Sequence, residues 1–431
     1  MTSSNTQRGQ IIVLFALVLV GLLAFAGLAI DGAMVYSDRR ANQSAADSAS
    51  MAGGGAGATY MQLHDMNASH DFNCSDLNII GKKMNLVKHE IIDAVIFRAS
   101  TNGFTIDTDI TDDNGVKVTC TSTDFDKYLD IEVRITSQTN TNFLHLVSNQ
   151  PLMNTVTATT RIRPTRPSGG GFAIAATDRT DCGQNSGGVY FDGKIDTHLD
   201  GGGIYSGTCI TINGKGSVAV SNSEPGVFRT GGTPNFIGDD PIKDPSMQLD
   251  IDIPEPDCAA LTDTHSQKKQ SGTISPGVYS NGIDSQGDLT LKPGLYCIDG
   301  ALKINGQNKL TGYGVSIVML GSNTVTINGG GEVNLYAPSA AYPAASPAVS
   351  GVLFYAEQGD IKLVGNGVGA FAGTIYAPKG EIEVGGTGDV NPTYHTEMIA
   401  DHVKIHGNAA VNINYDGNNV YLHNPTLDLL R

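Results

Sequence analysis

The first feature of the hydrophobic pattern is an unbroken apolar block at residues 11–30, which contains no charged or strongly polar side chain. A helix of this length spans about 30 Å, the thickness of the hydrocarbon core of a bilayer. Two small-x-small sites for signal peptidase, ending at Ala26 and Ala29, lie inside the block rather than after it. The pattern therefore predicts a cytoplasmic stub and retained transmembrane anchor at residues 1–30, in preference to a cleaved signal peptide.

The charges beside this block predict its orientation. Arg8 and the amino terminus lie on the short side, which the positive-inside rule keeps in the cytoplasm, although Arg39 and Arg40 on the other side weaken the signal. We therefore expect a single-pass protein of the cell membrane. Everything after Asp31 should be periplasmic or extracellular.

Residues 31–163 are predicted to form one α+β module. Alanines predict a helix from Asp31 to about Met61, which the glycines at 53–55 should fray or end. Apolar positions at helical spacing predict a second helix over 78–100. Alternating runs predict strands at 104–106, 116–120 and 128–136, and one more before Pro164. Small residues of the first helix suit close packing, either inside the chain, which we favour, or against other subunits. They are Ala33, Ala41, Ala45, Ala49 and Ala52.

The remaining chain has a different pattern. Prolines and glycines at 164–171 interrupt all periodicity and predict a linker. Beyond it, Ile-Asn-Gly recurs at 304–306 and 327–329, and Tyr-Ala at 336–337, 355–356 and 376–377. Short strands with a period near about 20 residues predict a mainly-β, right-handed parallel β-helix over 172–415, with a β-sandwich as the alternative. Residues 235–268 lack the repeat and are expected to form a protruding insertion, and residues 416–431 a C-terminal tail.

Charge and composition exclude one class of partner. The 431 residues carry a net charge of −16, with 53 glycines and no Trp. No basic stripe interleaved with aromatic residues is present to neutralise phosphates, so nucleic acid is not an expected partner.

Six cysteines follow the apolar block, at 74, 120, 182, 209, 258 and 297. None forms a Cys-x-x-Cys pair, which disfavours zinc and redox motifs. An even number in an exported region suggests disulfides, and six cysteines allow about 15 pairings. Proximity along the chain favours Cys74 with Cys120, Cys182 with Cys209 and Cys258 with Cys297. Buried free thiols are the alternative.

The amino-terminal segment resembles that of the TadE/TadG-like Flp (tight adherence) pilus-assembly proteins. The resemblance rests on Arg8-Gly9-Gln10, Phe15-Ala16-Leu17, the stretch from Gly27 to Asp31, Tyr36, Arg39 and Ala45-Ala46-Asp47. It implies a membrane helix that continues into an Ala-rich extracytoplasmic helix. The apolar segment with its Phe at 142–146, followed by a Val/Thr/Ala-rich strand, is similar to the same modules.

Two further comparisons with known families refine the expectation. Gly9-Gln10 is similar to a prepilin-peptidase site, but Leu14 stands where pilins place an acidic residue, so processing there is not predicted. The repeats after residue 172 look like Gly-rich solenoid regions attached to some bacterial pilus and surface proteins.

No catalytic fingerprint or cofactor-binding motif is found in the sequence, so we expect no cofactor, no metal and no enzymatic activity. The expected function is a Flp pilus-assembly or surface-adherence role. It would act through contacts with pilus-assembly subunits, and with surface polysaccharide or a host-surface ligand. The alternatives are a β-helical carbohydrate-active enzyme, for which Asp239, Asp240 and Asp244 are the one suitable acid cluster, and a purely structural envelope protein.

Overall fold

The structure is a computed structural model. It describes residues 10–64, 66–68, 71–110, 114–123, 126–146, 150–178, 188–194, 196–222, 227–228, 231–232, 236–238, 249, 251–365, 367–386, 392–408 and 410–430. The chain forms two compact units. The first contains Met1–Thr165 and Asn424–Arg431, and the second contains Arg166–His423.

The first unit is organised around one long helix, α1 (Gln10–Leu63), of 54 residues. Its apolar part is long and hydrophobic enough to cross a membrane, and its side chains there are almost all exposed. The glycines at 53–55 do not end the helix, as had been expected. A Cβ on Gly53 would lie 2.5 Å from Cγ2 of Val95, so this glycine allows a second helix, α2 (Lys83–Thr101), to pack closely.

An antiparallel sheet packs beside these helices. It contains β1 (Gly115–Ser122), β2 (Lys127–Thr139) and β3 (Leu152–Arg163), and β3 also pairs with a strand at Thr426–Leu430, the C-terminal strand. The prediction of a tail at 416–431 is therefore wrong, because Leu427 and Leu429 alternate with polar residues and complete a sheet edge. Residues 104–106 form no strand, and α2 begins later than expected because Gly81, with φ of 82°, turns the chain.

The second unit is almost entirely β. Its strands up to the middle of the unit are β4 (Arg166–Pro167), β5 (Phe172–Ala176), β6 (Val189–Gly193), β7 (Asp196–Asp200), β8 (Gly203–Ser206), β9 (Cys209–Gly214), β10 (Ser217–Ser221), β11 (Val227–Phe228), β12 (Gly231–Gly232), β13 (Phe236–Gly238), β14 (Thr264–His265), β15 (Lys269–Ile274), β16 (Gly277–Tyr279) and β17 (Ile283–Leu291). The others are β18 (Gly294–Ile298), β19 (Leu302–Gly306), β20 (Leu310–Tyr313), β21 (Val315–Met319), β22 (Val325–Gly329), β23 (Val333–Tyr336), β24 (Val352–Tyr355), β25 (Ile361–Val364), β26 (Gly369–Gly386), β27 (Thr393–Gly407), β28 (Val411–Asn414) and β29 (Leu422–His423). Single 3-10 turns occur at Cys74–Asp76, Leu144–Leu146, Ser168–Gly171 and Cys258–Ala260 in the two units.

Strands β5 to β28 pair in parallel as three rows. Row A runs β14, β16, β18, β21, β24, β26, β27, β5, β8 and β11. Row B runs β15, β17, β19, β22, β25, β26, β27, β6, β9 and β12. Row C runs β15, β17, β20, β23, β26, β27, β28, β7, β10 and β13. The long strands contribute different parts of their length to different rows.

The sequence repeats correspond to this pairing. Asn305 and Gly306 lie beside Asn328 and Gly329, so the two Ile-Asn-Gly copies are in register. Inward side chains from all three rows, such as Ile317, Ile304 and Leu310, form one hydrophobic cluster. Strands of row A such as β18 and β21 are buried along their whole length, whereas in β19 of row B and β20 of row C buried residues alternate with outward-facing ones. The unit is therefore a closed parallel β structure around a single core.

Two segments expected to be irregular are ordered against the outer face of the β structure. In the predicted linker, Ser168 and Gly169 are buried, and the left-handed backbone of glycines 169–171 folds the turn onto β27. In the predicted protruding insertion, Ile253 is 2% exposed and packs in a cluster on the outer face of row A. The described part of 235–268 therefore does not protrude, because its apolar residues cover Tyr355, Tyr376 and their neighbours. Residues 239–248 lie outside the described part.

Candidate membrane-proximal site

Asp31 binds the backbone of a loop between β2 and β3 just beyond the apolar part of α1. Its Oδ1 accepts a hydrogen bond from the amide of Asn142 at 2.9 Å, and its Oδ2 accepts one from the amide of Phe143 at 3.0 Å. The amide of Leu144 also donates to Oδ2. The carboxylate is 3% exposed, and amides that would otherwise be unpaired in this turn are satisfied by it. We call this arrangement the Asp31 clamp.

Gly27 lies one helical turn before the Asp31 clamp and receives the ring of Phe143. A Cβ on Gly27 would lie 2.6 Å from Cγ of Phe143, a distance that real side chains do not adopt. Glycine is therefore required for this ring to lie flat against the helix backbone. The pair Gly27 and Asp31 thus fixes the ring and the backbone of the same loop.

Polar contacts continue from the Asp31 clamp along α1. Asn154 donates to the carbonyl of Val35 at 3.4 Å, and Asn42 donates to Oγ of Ser137 at 2.6 Å. Farther on, Oγ1 of Thr160 donates to Oγ of Ser50 at 2.9 Å. The helix is therefore held against β2 and β3 from its membrane end upward.

The small-residue face of α1 is divided between two environments. Ala45 and Ala49 are buried in the core of the first unit, which agrees with packing inside the chain. Ala33 and Ala41 are exposed. The membrane-proximal part of this face is therefore exposed, while Ala52 at its other end is half-buried.

The residues of the family resemblance fall into three groups. Gly27 and Asp31 form the clamp contacts, and Ala46 joins the buried core beside Ala45. Asp47 accepts a hydrogen bond from Gln43 at 2.8 Å, whereas Tyr36 is 70% exposed and Arg39 is exposed. Gln10 begins α1, and Arg8 and Gly9 lie outside the described residues.

Two of the three disulfides favoured by proximity are present. Cys74 is bonded to Cys120 in the first unit, and Cys258 to Cys297 in the second. The latter ties the Cys258–Ala260 turn to β18 on row A. Cys182 lies outside the described residues, so its pairing with Cys209 stays a prediction.

Among the described ionisable groups of the second unit, one carboxylate lies in a cluster of basic side chains. Glu383, on row B, contacts Nζ of Lys362 at 2.8 Å, Nζ of Lys404 at 3.4 Å and Nε2 of His406 at 2.9 Å. Among the described residues, no three His, Cys, Asp or Glu side chains are grouped to hold a metal ion. The acid cluster at Asp239 and its neighbours lies outside the described part of the chain.

One buried carboxyl was missed by sequence reasoning. Glu397 is fully buried; its Oε2 accepts from Thr374 at 3.3 Å, and its Oε1 has no hydrogen-bond partner among the residues described. Burial raises the pKa of Glu397 well above its ordinary value, and the hydrogen bond from Thr374 opposes this only in part. Gly169 lies over the carboxyl, since a Cβ there would be 2.8 Å from Oε1. A lone Glu in an alternating strand gives no signal of such burial.

Comparison with protein families identifies the segment that forms the Asp31 clamp. A family model described as Flp pilus-assembly TadE/G-like matches residues 9–58. This segment is a TadE/G-like Flp pilus-assembly domain. The TadE/G-like domain includes both Gly27 and Asp31, while their loop partners at 142–144 lie beyond it. A domain of unknown function (DUF7305) matches residues 255–419, within the β structure. No curated protein and no solved structure matches the chain significantly.

Replacing Asp31 by Ala should release the loop of the Asp31 clamp. Three amides lose a charged acceptor, so their hydrogen exchange should accelerate by about tenfold or more. Exchange mass spectrometry on the full chain in detergent measures this over residues 142–144. Asp38→Ala, on the same helix, is the matched control and should leave the exchange unchanged. Equal exchange in both variants would show that the clamp does not hold the loop.

Proposed function

We propose that the protein is a membrane-anchored component of Flp pilus assembly or surface adherence, which acts through protein–protein or surface contacts rather than catalysis. The match of residues 9–58 to the TadE/G-like family carries the proposal. The apolar part of α1 fits a single-pass anchor. In the orientation we propose, the amino terminus is cytoplasmic and the chain after Asp31 is periplasmic or extracellular.

The Asp31 clamp supports a mechanical role for the TadE/G-like domain. One continuous helix contains the membrane segment and the core of the first unit, so no flexible joint separates anchor and module. The Gly27 and Asp31 contacts then fix the sheet at the membrane end of that helix. We propose that this rigid connection between anchor and module presents the module to pilus-assembly subunits in the membrane.

We further propose that the second unit is a right-handed parallel β-solenoid that serves as a spacer or adhesive surface. Three parallel rows around one core, with repeats in register, support the solenoid. Outward positions on row B carry polar side chains from strand to strand, such as Lys303, Thr326 and Lys362, as a surface for multivalent contact requires. Surface polysaccharide or a host surface would be the ligand.

Deletion of the gene tests this function. We expect loss of piliation and of surface attachment, with both restored by the full-length chain and neither by a chain that lacks residues 10–30. A chain that lacks residues 166–423 separates the two roles, because restored piliation without attachment would assign adherence to the β structure. Unchanged piliation and attachment in the deletion strain would contradict the proposal.

A further inference from the structure

The loop of the Asp31 clamp lies at the level of the membrane surface. Gly27 precedes the end of the apolar block, Ile30, by three residues, which is about 4.5 Å along the helix axis. Because the ring of Phe143 lies against Gly27, this ring is below the level at which the apolar block ends. A side chain at that depth faces acyl chains rather than water, provided that residues 11–30 span a bilayer.

The start of β3 approaches the same level. Asn154 contacts the carbonyl of Val35, which lies about 6 Å beyond Asp31 along the helix. A strand rises about 3.3 Å per residue, so Leu152 lies close to the level of Asp31. Phe143, Leu152 and Met153 are 43%, 36% and 51% exposed. Three large apolar side chains are therefore partly exposed near the level at which the apolar block ends.

The distribution of charge along the hairpin agrees with contact to lipid. Residues 135–160 contain no Asp, Glu, Lys or Arg, although the chain as a whole carries a net charge of −16. At the opposite end of the same strands, Arg161 pairs with Asp130, and Arg163 pairs with Asp126. The described residues of 135–160, at the end of β2 and β3 beside the apolar helix, therefore include no Asp, Glu, Lys or Arg, and burial of charge in a bilayer is costly.

We propose a second membrane contact, in which Phe143, between β2 and β3, and Leu152 and Met153, at the start of β3, insert into the outer leaflet beside α1. The helix alone leaves the anchor and the module free to rotate and tilt together in the bilayer. Insertion of these side chains on one side of the helix would restrict both motions and fix the orientation of the module relative to the membrane. Tyr36, exposed on α1 a short distance above, is of the type that favours the headgroup region.

Single-tryptophan variants test this inference directly, because the chain contains no Trp. The full-length protein is reconstituted into phosphatidylcholine–phosphatidylglycerol vesicles that carry bromine on the acyl chains. Phe143→Trp should lose most of its emission to the brominated lipid and be protected from aqueous iodide. Met153→Trp should behave in the same way, and it remains informative if the larger ring disturbs the contact with Gly27.

Two control variants separate the outcomes. Phe25→Trp, in the apolar block, should be quenched by the lipid, and Phe97→Trp, 74% exposed on α2, by iodide alone. If iodide alone quenches both Phe143→Trp and Met153→Trp, while lipid quenches Phe25→Trp, the inference is overturned and the anchor is left intact. Protection of Phe143→Trp and Met153→Trp from both quenchers would also overturn it, because a protein surface, such as that of a second copy of the chain, would then cover these positions. Failure of lipid to quench Phe25→Trp would overturn the anchor itself.

Discussion

Replacing Cys258 and Cys297 together by Ser should lower the free energy of unfolding of the second unit by about 4 kcal/mol. The bond joins cysteines 39 positions apart and so restricts the conformations of the unfolded chain. When the bond is lost, the unfolded state regains this conformational entropy and becomes more favourable. The bond also ties the covering segment around Ile253 to row A, so its apolar contacts with the outer face weaken too.

The matched control is the pair Cys74→Ser and Cys120→Ser. This bond spans 46 residues, so the entropic effect is of similar size, but it lies in the first unit. Hydrogen exchange of buried amides at rising denaturant concentration follows each unit separately. Each double variant should destabilise its own unit, and a second unit that is equally stable with and without its disulfide would contradict the expectation.

Glu397→Gln should remove a pH dependence from the stability of the second unit. The folded-state pKa of Glu397 is raised by burial, so the native state holds a proton that the unfolded state releases above the ordinary carboxyl pKa. The stabilising contribution is therefore fully present below that ordinary pKa and is lost as pH rises towards the raised value. The loss amounts to at most about 1.4 kcal/mol per pH unit, and the neutral Gln variant lacks it.

Glu383→Gln is a control with the opposite sign. Burial acts to raise the pKa of Glu383, but the hydrogen bond and charge of Lys362, with Lys404 and His406, outweigh it, so the pKa is lowered. This carboxylate stabilises the fold above its ordinary pKa, and the contribution is lost as pH falls through the lowered value. Denaturant titrations from about pH 3 to about pH 8 compare the variants, so that the range extends below the ordinary carboxyl pKa. A Glu397→Gln profile parallel to wild type would show that this carboxyl is ionised in the native state.

Local sequence signals predicted much of the architecture. The apolar block and its Ala-rich continuation predicted α1, because both helix propensity and the length of the apolar run act locally. The Ile-Asn-Gly copies predicted which residues stack, since each turn of the repeat places the same residues at the same corner. Each of the two disulfides described joins a cysteine to the next cysteine in the sequence, so that proximity along the chain predicted both pairings.

The remaining features depend on contacts that leave no local signal. Glycines at 53–55 suggested a helix end, but the small size of Gly53 allows packing against Val95 and Ile91, and that of Gly54 allows packing against Thr160. The linker and insertion looked irregular because their order comes from burial against the outer face of the β structure. The two halves of the Asp31 clamp are more than 100 positions apart, so Gly27 and Asp31 were recognised only as family residues, without their loop partners.

The strand order of the second unit also sets a condition on biosynthesis. Strands β5, β6 and β7 emerge early, yet on one side they pair with β27 and β28, which are made last. In the first unit, β3 likewise lacks one of its pairing partners until the C-terminal strand has been made. During synthesis, unpaired strand edges are therefore exposed in both units until residues near 430 have been made. Chains that end early would keep open edges, and such edges favour aggregation.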